Sequence, residues 1–225
     1  MELKNFLIEL NKYLKKKHLK LVMVRNFKKL PEHNIGNDLD LIIKSEELDI
    51  WLNTIKIFCD RNNLELFINY EYFYCTGIEI HGVNDKDGKV SLDLNSKLNW
   101  RGIDFYDSDQ LVNDSILFNY PIYYAKYEFI NCYVTFCHSF LYGGFIQEKY
   151  INEFRNCLSN NREEFRKLFQ SIFTKKQTNF LFNKIESNDQ RIPKYYANLI
   201  RLTVILRAFL KKPLRTSKKL ALSFF

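Results

Sequence analysis

The stretch LVMVRNFKKLPEHNIGNDLDLIIK, Leu21 to Lys44, decides the fold. It sets Asp38 and Asp40 two residues apart within the apolar company of Leu39, Leu41, Ile42 and Ile43. A strand has a side-chain period of two, so both carboxylates share one face and Leu39 and Leu41 take the other. Two like charges side by side on a strand are costly unless a positive group sits between them. A divalent metal ion answers that need. Magnesium takes oxygen ligands, often one or two carboxylates together with substrate phosphates.

Working outward, the run Leu19-Lys-Leu-Val-Met-Val24 reads as a buried strand, followed by a loop with Pro31 and Gly36. Asp38 to Lys44 is the second strand. Before them, Leu3, Phe6, Leu7, Leu10 and Leu14 lie at helical spacing over residues 2–17. After them, Ser45 is positioned to cap a helix, with Glu46 and Glu47 favourable in its first turn. Leu48, Trp51, Leu52, Ile55 and Phe58 form that helix's apolar face. Residues 64–69 and 71–80 read as strands. A polar turn, Gly82 to Gly88, leads into Val90-Ser-Leu-Asp-Leu94. There Asp93 shares a face with Ser91, opposite Leu92 and Leu94.

Beyond about residue 110 the pattern turns helical, at 131–141, 146–158, 162–173 and 194–211. The expected architecture is therefore α+β. A mixed sheet with flanking helices occupies residues 1–115, and a mainly helical domain with a basic C-terminal tail occupies 116–225.

The chain has 225 residues and a formal net charge of +8. Its length suits one domain of ordinary size with a smaller one appended. The basic character belongs to one end. Nine of the 34 basic residues lie beyond Asp189, where the sequence holds no acidic residue. That tail has three readings: a solvated face, a site for an acidic partner domain, or a contact with anionic lipid or nucleic acid. The stripe Tyr195, Leu199, Leu202, Leu206 and Phe209 puts packing against the helical domain first.

The five cysteines (Cys59, Cys75, Cys132, Cys137, Cys157) form no C-x-x-C pair and read as reduced core residues. His18, His33, His81 and His138 are scattered, which argues against zinc. Glu79 and His81 alternate on a strand as surface residues. Tyr142-Gly143-Gly144 reads as a turn between helices. The first residues alternate charged and apolar side chains, unlike a signal peptide. No run of 18 apolar residues predicts a membrane span. The expectation is a cytoplasmic protein.

Three strand-borne aspartates, two at i and i+2 and one about fifty residues later, suit in-line phosphoryl chemistry on two metal ions. Gly36-Asn-Asp-Leu-Asp-Leu-Ile-Ile43 resembles the Asp-x-Asp strand of the nucleotidyltransferase (polymerase-beta-like) superfamily. Asp93 in Val-Ser-Leu-Asp-Leu matches that superfamily's third acidic strand. More narrowly, Val24-Arg-Asn-Phe, Leu30-Pro-Glu32 and Trp100-Arg-Gly102 resemble a bacterial branch associated with surface-polysaccharide gene clusters. Some members of that branch carry a kinase-like P-loop domain after the helical part. Leu206 to Arg215 looks like the junction before it, but no G-x-x-x-x-G-K-[ST] motif is present here. By the resemblance the kinase half is then either absent or supplied by another polypeptide; a separate partner would be a kinase-like protein or, in the adaptor reading below, a glycosyltransferase.

The resemblance implies a nucleotidyltransferase-like sheet. Asp38, Asp40 and Asp93 would be its catalytic carboxylates and ligands of two Mg2+ ions. A nucleoside triphosphate would be the donor, and a sugar phosphate or alditol phosphate the acceptor. Arg25, Asn26, Gly36, Asn37, Trp100 and Arg101 would form the nucleotide-binding set. Most members open a helix with Gly-Ser ahead of the acidic strand, where this sequence reads Val24-Arg25-Asn26. The connection to Gly36 is short for a full helix. Arg25 would replace those backbone donors with its fork of N–H groups.

Other readings of the same residues stand beside these. An arginine ending a buried strand needs an anionic partner, and one of the aspartates would serve. Asn26 and Asn37 would supply turn geometry, and Gly36 backbone freedom. Trp100 and Arg101 would stack on a base or acceptor, or cover the core edge. Two other functions fit: a non-catalytic adaptor for a kinase or glycosyltransferase, and a toxin-like nucleotidyltransferase acting on RNA or protein.

Overall fold

The computed structural model describes residues 1–34, 38–83, 88–189 and 191–211. Gly36, Asn37 and the tail beyond Lys211 lie outside the described residues. The protein is a mixed α+β chain that divides into two compact units. The first comprises Met1–Leu98 and Tyr106–Lys126; the second comprises Asn99–Phe105 and the chain from Tyr127 onward.

The first unit is built on a mixed sheet. Its strands are β1 (Leu21–Met23), β2 (Leu39–Ile42), β3 (Glu65–Tyr72), β4 (Cys75–His81), β5 (Lys89–Asn95), β8 (Ser115–Asn119) and β9 (Ile122–Ala125). Their order is β3-β4-β5-β2-β1-β9-β8. β2 runs parallel to β5, and β1 parallel to β9; the other pairs are antiparallel.

Helices α1 (Leu3–Lys15) and α2 (Leu48–Arg61) share one core with this sheet. Leu3, Phe6, Leu7, Leu10 and Leu14 follow the 3.6-residue period and are all buried. They meet Trp51, Ile55 and Phe58 of α2 over Leu39, Leu41, Leu92 and Leu94. Phe6 and Phe58 pack edge to face at 5.6 Å. Each large apolar side chain so buried contributes about 1.5–3 kcal/mol. Because leucines fill the core side of β2 and β5, the alternate positions carrying the aspartates are forced to the other face.

Two expectations are corrected here. Ser45 does not cap α2, whose N-cap is Glu47 and whose only first-turn acid is Asp49. The Ser45 backbone N–H and hydroxyl instead donate to Asp109 Oδ1, at 2.9 and 3.2 Å. The helical pattern expected beyond residue 110 is interrupted by β8 and β9, which extend the first unit past residue 115. Between Val24 and Asn34 the described chain is turns without a helix, as its length requires.

The second unit begins with most of a hairpin, β6 (Leu98–Trp100) and β7 (Ile103–Tyr106), which the periodicity did not reveal. After α3 (Ser108–Asn113) of the first unit, the chain continues into α4 (Glu128–His138), α5 (Ile151–Asn160), α6 (Arg162–Ile172), α7 (Lys175–Glu186) and α8 (Lys194–Lys211). Phe136, Phe154, Phe165, Phe169, Phe173 and Phe182 form its aromatic core, with Phe136 and Phe169 at 4.7 Å. α7, absent from the sequence expectation, starts with a reciprocal capping box between Thr174 and Gln177. Gly144, at φ +77°, ends the turn after α4.

Two further corrections concern this unit. Cys132 and Cys157 are joined as a disulfide linking α4 to α5, whereas Cys59, Cys75 and Cys137 are free and buried. On α8 the buried residues are Ala197, Ile200 and Val204. The stripe expected to pack inward faces out instead: Leu199 is 53% exposed, Leu202 51% and Leu206 53%. No described helix is long and apolar enough to cross a membrane.

Candidate metal centre

The parallel pairing of β2 with β5 builds the site. Leu39 lies opposite Leu92, Asp40 opposite Asp93, and Leu41 opposite Leu94. This register puts leucines against leucines on the core face and aspartate against aspartate on the other. Asp38, two residues before Asp40, adds a third carboxylate. One oxygen from each of Asp38, Asp40 and Asp93 lies within 4.8 Å of the others.

Unit charges about 5 Å apart repel by roughly 3 kcal/mol per pair at an effective dielectric of about 20. One compensation is present. Arg25 Nη2 donates to Asp40 Oδ1 at 2.5 Å, with the two side chains 15% and 5% exposed. Of the two partners foreseen for Arg25, the structure has the aspartate. The other oxygen, Asp40 Oδ2, is buried and has no hydrogen-bond partner among the described residues. A buried, unpaired carboxylate oxygen is expensive, so its surroundings suit a cation.

Asp93 is held from the opposite side. Tyr70 donates its hydroxyl to Asp93 Oδ1 at 2.6 Å. A row of paired residues crosses four strands: Tyr70 on β3, Gly77 on β4, Asp93 on β5 and Asp40 on β2. Gly77 makes this reach possible. A Cβ there would stand 2.3 Å from Cε1 and Cζ of the Tyr70 ring, so the ring lies across bare backbone. A register shift between Ile68 and Tyr70 marks an irregularity in β3 beside this row. At the end of β5, Asn95 Nδ2 donates to the Asp93 and Leu41 carbonyls, at 3.1 and 3.3 Å.

Protonation follows the surroundings. Burial, reinforced by the negative charges of Asp38 and Asp40, pushes the Asp93 carboxyl up to about 6 against the opposing Tyr70 hydrogen bond. Burial and the bond to Asp93 push the Tyr70 hydroxyl upward, which keeps it a donor. Burial first, then the charge of Asp93, pushes the Cys75 thiol up to about 12.

The donor set is all oxygen, net negative and contains one orphaned buried atom. Oxygens on opposite sides of a single ion stand about 4.2 Å apart for Mg2+ and about 4.8 Å for Ca2+. A group whose oxygens lie within 4.8 Å of one another could hold a hard divalent cation, with side-chain adjustment for the shorter Mg2+ span.

Asn26 adopts φ +58°, the turn geometry that asparagine tolerates. Gly36 and Asn37 lie outside the described residues. Trp100 and Arg101 belong to the second unit. Trp100 is buried at 2% exposure, with the Arg101 and Arg201 guanidinium groups 5.6 and 5.4 Å from its ring. Tyr70 and Gly77 are the residues that sequence reasoning missed. One signal was available: a glycine inside a strand marks a place where another group comes close.

Compared with family models, curated proteins and solved structures, the chain finds no match.

Proposed function

We propose that the protein is a magnesium-dependent nucleotidyltransferase. It moves a nucleoside monophosphate from a nucleoside triphosphate to a hydroxyl or phosphate acceptor and releases pyrophosphate. The observation that carries this reading is the Asp38–Asp40–Asp93 group on neighbouring parallel strands, with Asp40 Oδ2 buried and unpartnered. The resemblance of Gly36 to Ile43 and of Asp93 to the polymerase-beta-like superfamily supports it.

Asp38 and Asp40 would hold the metal, and Asp93 would complete the set and help activate the acceptor oxygen. Bound magnesium supplies charge neutralisation for the triphosphate and lowers the acceptor oxygen's proton affinity. Arg25, which pairs with Asp40, would add its fork of N–H groups to a phosphate. The protein's own work is positioning and electrostatic stabilisation. The acceptor class that the resemblance favours is a sugar phosphate or alditol phosphate of surface-glycan synthesis.

A second reading is a non-catalytic adaptor with the same fold, docking a separate kinase or glycosyltransferase. The specific observation in its favour is the Arg25–Asp40 ion pair, which neutralises one carboxylate without any substrate. A thermal-shift screen of the four ribonucleoside triphosphates and dTTP, with and without magnesium, separates the two. A ligand that binds only the folded state raises the midpoint. The enzyme shows a joint metal and nucleotide shift that Asp38→Ala removes; the adaptor shows none.

A further inference from the structure

The loudest unexplained surface is the outer face of α8. Tyr195, Leu199, Leu202, Leu206 and Phe209 are 74, 53, 51, 53 and 45% exposed. Their spacing is 4, 3, 4, 3, the a/d repeat with which one helix packs along another. The helix has 18 residues, and the seam from Tyr195 to Phe209 is about 21 Å long.

Charge decides what covers it. At about 100° per residue, Arg201 and Arg207 fall roughly 120° to either side of the stripe's centre. Lys194 and Lys211 also lie more than a quarter-turn away. Both arginines are engaged by their own unit: Arg201 Nη2 donates to the Tyr142 carbonyl at 3.4 Å, and Arg207 Nη1 to the Ile172 carbonyl at 3.3 Å. The described residues within a quarter-turn of the stripe on α8 are Asn198, Thr203, Ile205 and Leu210, all uncharged. An anionic lipid surface or acidic partner would need cations beside the apolar face, and among the described residues of α8 they point away. An uncharged apolar helix is the complementary shape, and the chain supplies one.

We propose that α8 pairs with α8 of a second copy of this chain, antiparallel about a two-fold axis near Leu202. In that arrangement Tyr195 meets Phe209 of the second copy, Leu199 meets Leu206, and Leu202 meets itself. The stripe is thus complementary to its own reverse, as a two-fold interface requires. The opposed helix dipoles add to the antiparallel choice. One helix pair covers less than the roughly 800 Å2 per partner of a standard interface, so the dimer dissociates on dilution.

Sedimentation velocity on the full chain, from low to high micromolar concentration, tests this. The expected result is a shift from monomer to dimer, with Leu202→Glu/Leu206→Glu remaining monomeric at an unchanged thermal midpoint. A mixture of Leu199→Cys and Leu206→Cys proteins should form a disulfide-linked dimer under mild oxidation, while Leu199→Cys alone should not. Four outcomes overturn the proposal: a wild-type monomer throughout; a dimer indifferent to the two glutamates; cross-linking of Leu199→Cys with itself but not with Leu206→Cys; or a monomer that binds anionic vesicles through the stripe. A monomer whose midpoint falls in the double-glutamate variant also overturns it, since the stripe is then covered from within the chain.

Discussion

Tyr70 reaches Asp93 across Gly77, and its hydroxyl donates to the carboxylate at 2.6 Å. This bond fixes the rotation of Asp93 from the side opposite the other two aspartates. Hydrogen bonds to metal ligands of this kind commonly govern affinity by 10–100-fold. Tyr70→Phe should therefore weaken divalent-cation binding by about tenfold, read by calorimetric titration. Because the bond holds the Asp93 pKa down, its loss should also raise that pKa, read from carboxyl carbon shifts against pH. Unchanged affinity and titration would show that Tyr70 has only a packing role.

Gly77→Ala drives a methyl group into the Tyr70 ring, within 2.3 Å of two ring atoms. Overpacking of this sort costs about 1–3 kcal/mol, measurable by urea unfolding. Gly77→Ala/Tyr70→Ala should cost less than the sum of its two single changes, because the clash needs both partners. Additive losses would mean that the two residues are not coupled.

Without metal, Asp93 should make stability depend on pH in a defined direction. Its carboxyl rises from 3.8 to about 6 on folding. A raised folded-state pKa means that the unfolded chain ionises more readily. The stability linked to this group is present below about pH 3.8 and lost as pH rises through about 6. Asp93→Asn should therefore gain on the wild type in thermal midpoint between pH 4 and 7, and added magnesium should reverse that advantage at pH 7. A midpoint difference that does not change with pH contradicts the assignment.

Arg25→Met removes the counter-charge at Asp40 Oδ1. Breaking a buried ion pair from one side costs about 3–5 kcal/mol. The same change leaves the carboxylates more negative, so the thermal shift produced by magnesium alone should grow. The additional shift from a nucleoside triphosphate should shrink, since a phosphate contact is lost. A variant in which both shifts fall together would show that Arg25 acts by holding Asp40 in place rather than by contacting phosphate.

The site was half legible in the sequence. Period-two alternation placed Asp38, Asp40 and Asp93 on the faces opposite Leu39, Leu41, Leu92 and Leu94, where the structure has them. Their adjacency depends on parallel pairing between strands about fifty residues apart, which no local pattern encodes. Tyr70 was invisible because its role comes from a gap in β4 rather than from its own neighbours. α8 failed for a different reason: it carries two apolar stripes. The larger one drew attention, but Ala197, Ile200 and Val204 allow closer helix packing and are the ones buried. The Ser45 cap was lost to Asp109, a tertiary partner 64 residues away.

The most direct measurement is a titration of Mn2+ followed by the electron paramagnetic resonance of the free ion. Wild-type protein should remove the free signal saturably, with magnesium competing. Asp40→Asn should leave it nearly untouched while keeping its helical circular dichroism. A wild-type protein that leaves the manganese signal unchanged, or an Asp40→Asn variant that binds equally well, would contradict a cation centre at Asp38, Asp40 and Asp93.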